Sequence, residues 1–165
     1  MNDQTMNNRT RKALRDFYFE DLPPQSFEEW LYKDATLQKL FQDEYTELIS
    51  LDFKNSTDRL KAREIIKNIY DADDAELLFK HKALETAREM LVSSITLERG
   101  CQILAKMRNE GMEFIPIHFV GYDSEFSDKD RSSMFDMVTA YSETIKKDCV
   151  SFLNELNRYY EDICG

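Results

Sequence analysis

The chain has 165 residues, 42% of them hydrophobic and 33% charged, with only four glycines and three prolines. That length fits one domain able to hide roughly two thirds of its unfolded surface, and apolar residues recur too evenly for a disordered polymer. The 22 basic and 32 acidic residues leave a net charge of −10, which disfavours nucleic acid and anionic membrane as direct ligands, since both require positive charge.

The first seven residues are polar and expected to be disordered. A helix is predicted from about Asn8 to Glu20, before Pro23 and Pro24 forbid its continuation. Ser26 and Glu29 have the S-x-x-E spacing of a capping box, and Trp30, Leu31, Leu37, Leu40 and Phe41 supply the apolar face of one or two short helices. "YTELISLDF" alternates imperfectly and fits strand or helix, with helical neighbours favouring helix. "KNSTD" reads as a loop ending in a cap. Ala62, Ile65, Ile66, Ile69 and Tyr70 then share one helical face.

"DADDAE" closes that helix and opens another, with Asp73 or Asp74 as N-cap. Leu77, His81, Leu84, Ala87 and Leu91 form its stripe, and Leu97, Cys101, Leu104 and Arg108 form the next, up to Gly111. Glycine suits a helix C-terminus because it enters the left-handed region without penalty. Phe114 to Val120 is the most strand-like run, although Pro116 confines it to an edge or an irregular extended segment. Gly121 is expected to turn the backbone into "YDSE", and Ser127 or Asp128 to cap the last helix.

That last element carries nine apolar or aromatic positions, Phe135, Val138, Tyr141, Ile145, Cys149, Phe152, Leu156, Tyr159 and Ile163, about 3.5 residues apart. One long helix, or two collinear ones, should pack this seam against the rest. The predicted fold is therefore an all-α, multi-helix bundle in a single domain, 1–165. It has a long C-terminal helix and one short extended segment at about 113–120.

Cys101, Cys149 and Cys164 are odd in number and lack a C-x-x-C pair, which argues against a disulfide framework or structural zinc. Cys101 and Cys149 fall on apolar stripes and read as small core residues; Cys164 is expected to be exposed. No segment resembles a signal peptide or a membrane span, so the expected compartment is the cytoplasm. His118, Asp123, Glu125 and Asp128 could be gathered into a metal or acid–base cluster, but no ligand spacing such as H-E-x-x-H occurs. Phosphate-binding and nucleophile-elbow motifs are also missing. Neither cofactor nor metal is expected, and binding is favoured over catalysis.

Acidic residues concentrate toward the end, with 12 acids against 5 bases from Glu110 onward. Tyr122, Asp123, Glu125, Phe126 and Asp128 are the first candidates for a contact surface in which aromatic anchors sit beside carboxylates. Asp71, Asp73, Asp74 and Glu76 are the second. The competing reading is a solvated acidic rim, with Phe126 buried as a staple on the last helix.

Two segments carry resemblances. "FEEWLYKDATLQKLFQDEYTELISLDF", Phe27 to Phe53, resembles the N-terminal motif of small cytoplasmic immunity proteins from bacterial toxin systems. The shared features are a phenylalanine, a Trp-x-Tyr, a short leucine helix and a Tyr-x-x-Leu-Ile segment. "IPIHFVGYDSE", Ile115 to Glu125, is similar to a motif of bacterial helical proteins of unknown function. After Glu125 that pattern continues with Thr-Asp, a proline–glycine turn and a tryptophan, where this chain has "FSDKDRSSMF". The first resemblance implies a non-enzymatic protein that binds and occludes a cognate toxin, often a basic nuclease, in the producing cell. The alternative is a helical adaptor or regulatory subunit.

Overall fold

The computed structural model describes residues 6–128 and 131–164, with side chains described over 6–127 and 140–163. Among these residues there are ten helices and no strand. They gather into two compact units, divided between Leu78 and Phe79.

The first unit holds α1 (Asn8–Tyr18), α2 (Pro24–Lys33), α3 (Ala35–Leu40), α4 (Gln42–Ile49) and α5 (Ser56–Tyr70). Order begins earlier than expected from the polar start. The Asn7 side chain accepts from the Thr10 amide at 2.8 Å, capping α1, and Met6 is buried. Residues 1–5 of the segment expected to be disordered lie outside the described residues. Helix α1 ends in a Schellman closure, not at the prolines. The Asp21 amide donates to the Asp16 carbonyl at 2.7 Å and the Glu20 amide to the Phe17 carbonyl at 3.1 Å. This places Glu20 in the left-handed region, φ 65°, a position that glycine usually fills.

The prolines instead start α2. Pro23 is its N-cap and Pro24 its first residue, so no side chain caps this helix and the Ser26–Glu29 capping box is not formed. Proline tolerates that position because the first-turn amide lacks an intrahelical acceptor anyway. Residues 42–49 are helical, which resolves the ambiguous run in favour of helix up to Ile49. Asn55 caps α5 by accepting from the Asp58 amide at 3.1 Å, as the "KNSTD" loop predicts.

The core of this unit is aromatic. Phe17 stacks on Phe27 with centroids 4.2 Å apart, and Phe53 meets both rings edge-on at 5.7 and 5.6 Å. Leu14, Leu31, Leu37, Leu48, Ala62 and Ile66 are fully buried around them. Polar groups enter the core with partners: Arg15 Nη1 donates to the Tyr70 hydroxyl at 2.8 Å, and the Tyr45 hydroxyl donates to the Leu31 carbonyl at 3.1 Å. The segment Phe27 to Phe53 thus contributes Phe27, Leu31, Leu37, Tyr45, Leu48 and Phe53 to packing.

The second unit holds most of α6 (Leu77–Leu91), then α7 (Leu97–Asn109), α8 (His118–Asp128), α9 (Arg131–Glu155) and α10 (Asn157–Cys164). Helix α6 starts three residues after Asp74, and the Asp71 carboxylate reaches forward to its Leu78 amide at 2.9 Å. Helices α6 and α7 approach closely: a Cβ on Gly100 would lie 2.2 Å from the Met90 side chain, so the buried Met90 occupies the space that glycine leaves. Helix α6 ends with Ser93 in the left-handed region at φ 61°, and α7 ends likewise on Gly111 at φ 108°.

The predicted C-terminal seam contributes Ile145, Cys149 and Phe152 to the core. Its side chains at Phe135 and Val138 lie outside the described residues. Helix α9 runs for 25 residues, and α10 follows after Leu156.

Candidate functional site

The segment expected to be extended is a turn followed by a helix. Residues 113–117 form turns and a bend around Pro116, and α8 starts at His118. The Pro116 carbonyl accepts from the Phe119 amide at 3.3 Å, and the Ile117 carbonyl accepts from Val120 and Gly121 at 3.0 and 3.3 Å. Proline therefore sits just ahead of the helix, where its fixed φ and missing donor do least harm. Arg108 at the end of α7 fixes the turn: Nη1 donates to the Glu113 carbonyl at 2.6 Å and to the Ile115 carbonyl at 3.1 Å. The β-branched residues Ile115, Ile117 and Val120 favoured a strand by propensity. Packing overrides them, because Phe119 and Phe126 are buried on one face of α8 and Ile115 is buried just ahead of it.

Helix α8 packs along α7 and against α9. Its inner face seats Phe119, 6.2 Å from the Phe152 ring, and the fully buried Phe126. Its outer face, together with α9, forms a groove of about 400 Å³ lined by Ile117, His118, Gly121, Tyr122, Glu125 and Tyr141. Ile117 and Tyr141 are exposed by 58% and 42%, which makes them apolar surface that the fold does not cover. Gly121 lies within the helix in ordinary helical conformation, and a Cβ there would meet nothing within 4 Å.

Tyr122 anchors the inner wall. Its hydroxyl donates to the Asp148 carboxylate of α9. Burial and that carboxylate push the hydroxyl well above the usual tyrosine range, so it stays a donor at any ordinary pH. Beneath it the Cys101 and Cys149 thiols are buried, and both are pushed up to about 12, chiefly by burial. They are core residues, as predicted, and inert as nucleophiles. The Cys164 side chain lies outside the described residues.

The predicted contact residues therefore separate. Tyr122 and Glu125 share the groove, whereas Asp123 is half-buried on α8 and does not line it. Phe126 is buried at 2% exposure and cannot serve as an exposed anchor; its burial agrees with the competing reading. The Asp128 side chain lies outside the described residues, as does any capping by it. In the loop between α5 and α6, which ends the first unit, Asp71 is occupied by the fold. It accepts from Leu78 and pairs with Lys67 at 2.9 Å. Asp73 and Glu76 are exposed there, and Asp74 is half-buried.

Sequence reading missed Ile117, which it assigned to a strand, and Tyr141, which it placed on the buried seam. It also treated Gly121 as a turn. His118 is exposed on the first turn of α8, two helical turns and so about 10 Å along the axis from Glu125. Among the described residues no three His, Cys, Asp or Glu side chains cluster so as to hold a metal ion. No described helix is long and apolar enough to cross a membrane. Comparison with known proteins found no matching family model, no similar curated protein and no similar solved structure.

Proposed function

We propose that the chain binds a basic protein partner through the α8–α9 groove, and that this partner is a cognate toxin which it neutralises by occlusion. The observation that carries this reading is Gly121. Glycine inside a helix costs about 1 kcal/mol relative to alanine, yet neither a left-handed φ nor a close neighbour requires it here. The bare position leaves an open floor between His118 and Glu125, with the exposed Ile117 and Tyr141 alongside. Such a depression admits an inserted side chain or backbone from outside.

The chemistry of the lining supports the partner class. Tyr141 and Ile117 are large exposed residues of the kind that carry binding energy, and Glu125 adds negative charge to the lining. The 12 acids against 5 bases from Glu110 onward would speed encounter with a basic protein and make it salt-sensitive. Tight neutralisation needs more than charge: a picomolar complex corresponds to about −16 kcal/mol, which requires a packed contact with desolvated anchors. Asp73 and Glu76 in the first unit are a second, separate set of exposed acids.

Co-expression with the toxin encoded next to this chain is the test. Survival of the cell, with a complex that persists on gel filtration, is the expected result. Cell death with no complex would overturn the proposal, and a complex with some other component that leaves the toxin active would replace it with the adaptor reading.

A further inference from the structure

The first unit contains a second concavity, independent of the groove in α8 and α9. It encloses about 540 Å³ at the α1–α2 turn, within the range of small-molecule sites, roughly 300–1,000 Å³. Phe17, Leu22, Pro23, Pro24 and Leu60 give it apolar walls, and Leu60 is 62% exposed on its rim. Arg59 and Arg63, one turn apart on α5, also line it.

These two cations are unusual in a chain with ten surplus negative charges. Arg59 Nη1 donates to the Phe53 carbonyl at 3.0 Å, and Arg63 lies over the Tyr18 ring with Cζ 4.7 Å from its centroid. Neither reaches a carboxylate among the described residues, and the buried Nε of Arg63 has no hydrogen-bond acceptor. A guanidinium fork matches the two oxygens of a carboxylate. Glu20 and Asp21, on the α1–α2 turn, also line the cavity. They repel an anion from that end and so direct a negative head group toward α5.

We propose that this cavity binds a small organic carboxylate with an apolar body. Its head would lie on Arg59 and Arg63, and its body against Phe17, Leu22, the two prolines and Leu60. The mono-anionic head would pair with the Arg59 and Arg63 side chains that line the cavity, while the nearby acids disfavour a polyanion.

The test is an amide NMR titration of the whole chain with 3-phenylpropionate. 3-Phenylpropanol serves as the uncharged body and acetate as the bare head. Phenylpropionate should give saturable shifts at residues 17–24 and 56–63, with both controls weaker by at least about tenfold, the scale of one charge-assisted hydrogen bond. Arg59→Gln and Arg63→Gln should each weaken it comparably, Arg63→Lys should restore part of the loss, and Glu20→Gln should bind as well as or better than the parent. Melting curves identify any variant that fails to fold; because Arg63 packs on Tyr18, Arg59→Gln is the decisive variant of the pair. No saturable shift at millimolar phenylpropionate, equal binding of the alcohol, or unchanged affinity in a folded Arg59→Gln would overturn the proposal.

Discussion

The groove on α8 and α9 and the cavity at the α1–α2 turn are built from opposite materials. The groove borders exposed side chains, with a tyrosine hydroxyl tied to a carboxylate and an acid on its edge. The cavity is lined by Phe17, a core residue stacked on Phe27, and bears two guanidiniums without carboxylate partners among the described residues. Total charge would have assigned them the other way. Residues 1–78 hold 17 acids and 11 bases, and residues 79–165 hold 15 and 11, so the cationic cavity belongs to the more acidic unit. Local charge is set by which side chains the helices leave unpaired, and bulk composition constrains it weakly.

The largest expected effect tests the difference in construction. Phe17→Ala should cost about 3–5 kcal/mol, as should Phe126→Ala on the inner face of α8, because both empty a packed core. Tyr141→Ala should stay within about 0.5 kcal/mol, since an exposed side chain leaves no cavity. Urea denaturation of the three variants decides this. A large loss in Tyr141→Ala would mean that the groove wall is structural.

An alkaline titration comes next in size and bears on the second unit. Cys101 and Cys149 hold their protons to about 12 when folded, against the ordinary 9.0. Above pH 9 the unfolded chain therefore binds fewer protons than the folded one. Stability from this source is complete below pH 9 and is lost as pH rises toward 12. The melting temperature should fall over that window, less steeply when both cysteines are replaced by alanine. An equal slope in the double variant would show that the thiols are not protected by packing.

A smaller change sharpens the cavity. Glu20 adopts φ 65°, so Glu20→Gly should stabilise the protein by about 1 kcal/mol. Thermal melts will show the shift, and a loss of stability would imply that the Glu20 side chain bears a structural load.

Much of the fold was readable because helical periodicity survives local ambiguity. Of the stripe Ala62, Ile65, Ile66, Ile69 and Tyr70 all but the half-buried Ile65 are buried, and of the C-terminal seam Ile145, Cys149 and Phe152 are buried whereas Tyr141, Leu156, Tyr159 and Ile163 are not. Gly111 ends its helix in the left-handed conformation that only its lack of a side chain makes inexpensive. Errors arose where two local signals competed. Ser26 and Glu29 spelled a capping box, but proline at the preceding positions started the helix first. In 114–120 the β-branched residues outweighed the interval from Ile115 to Phe119, which was present in the sequence and was the better guide. The site was less legible. Tyr122 and Glu125 were found from their chemistry, whereas Phe126 was drawn inward by the same periodicity that exposes Ile117. The Arg59–Arg63 pair gave no signal, because two arginines four apart on a helix look like any solvated face until their neighbours are known.

The most direct test of the groove is to fill it where the fold has left room. Gly121→Lys places a long cation on the open floor, and gel filtration with the proposed toxin partner, alongside a thermal melt, reads the outcome. We expect a variant that melts no lower than its parent and forms no complex. A stably folded Gly121→Lys that still captures and silences the toxin would contradict the assignment of α8 and α9 as the binding surface.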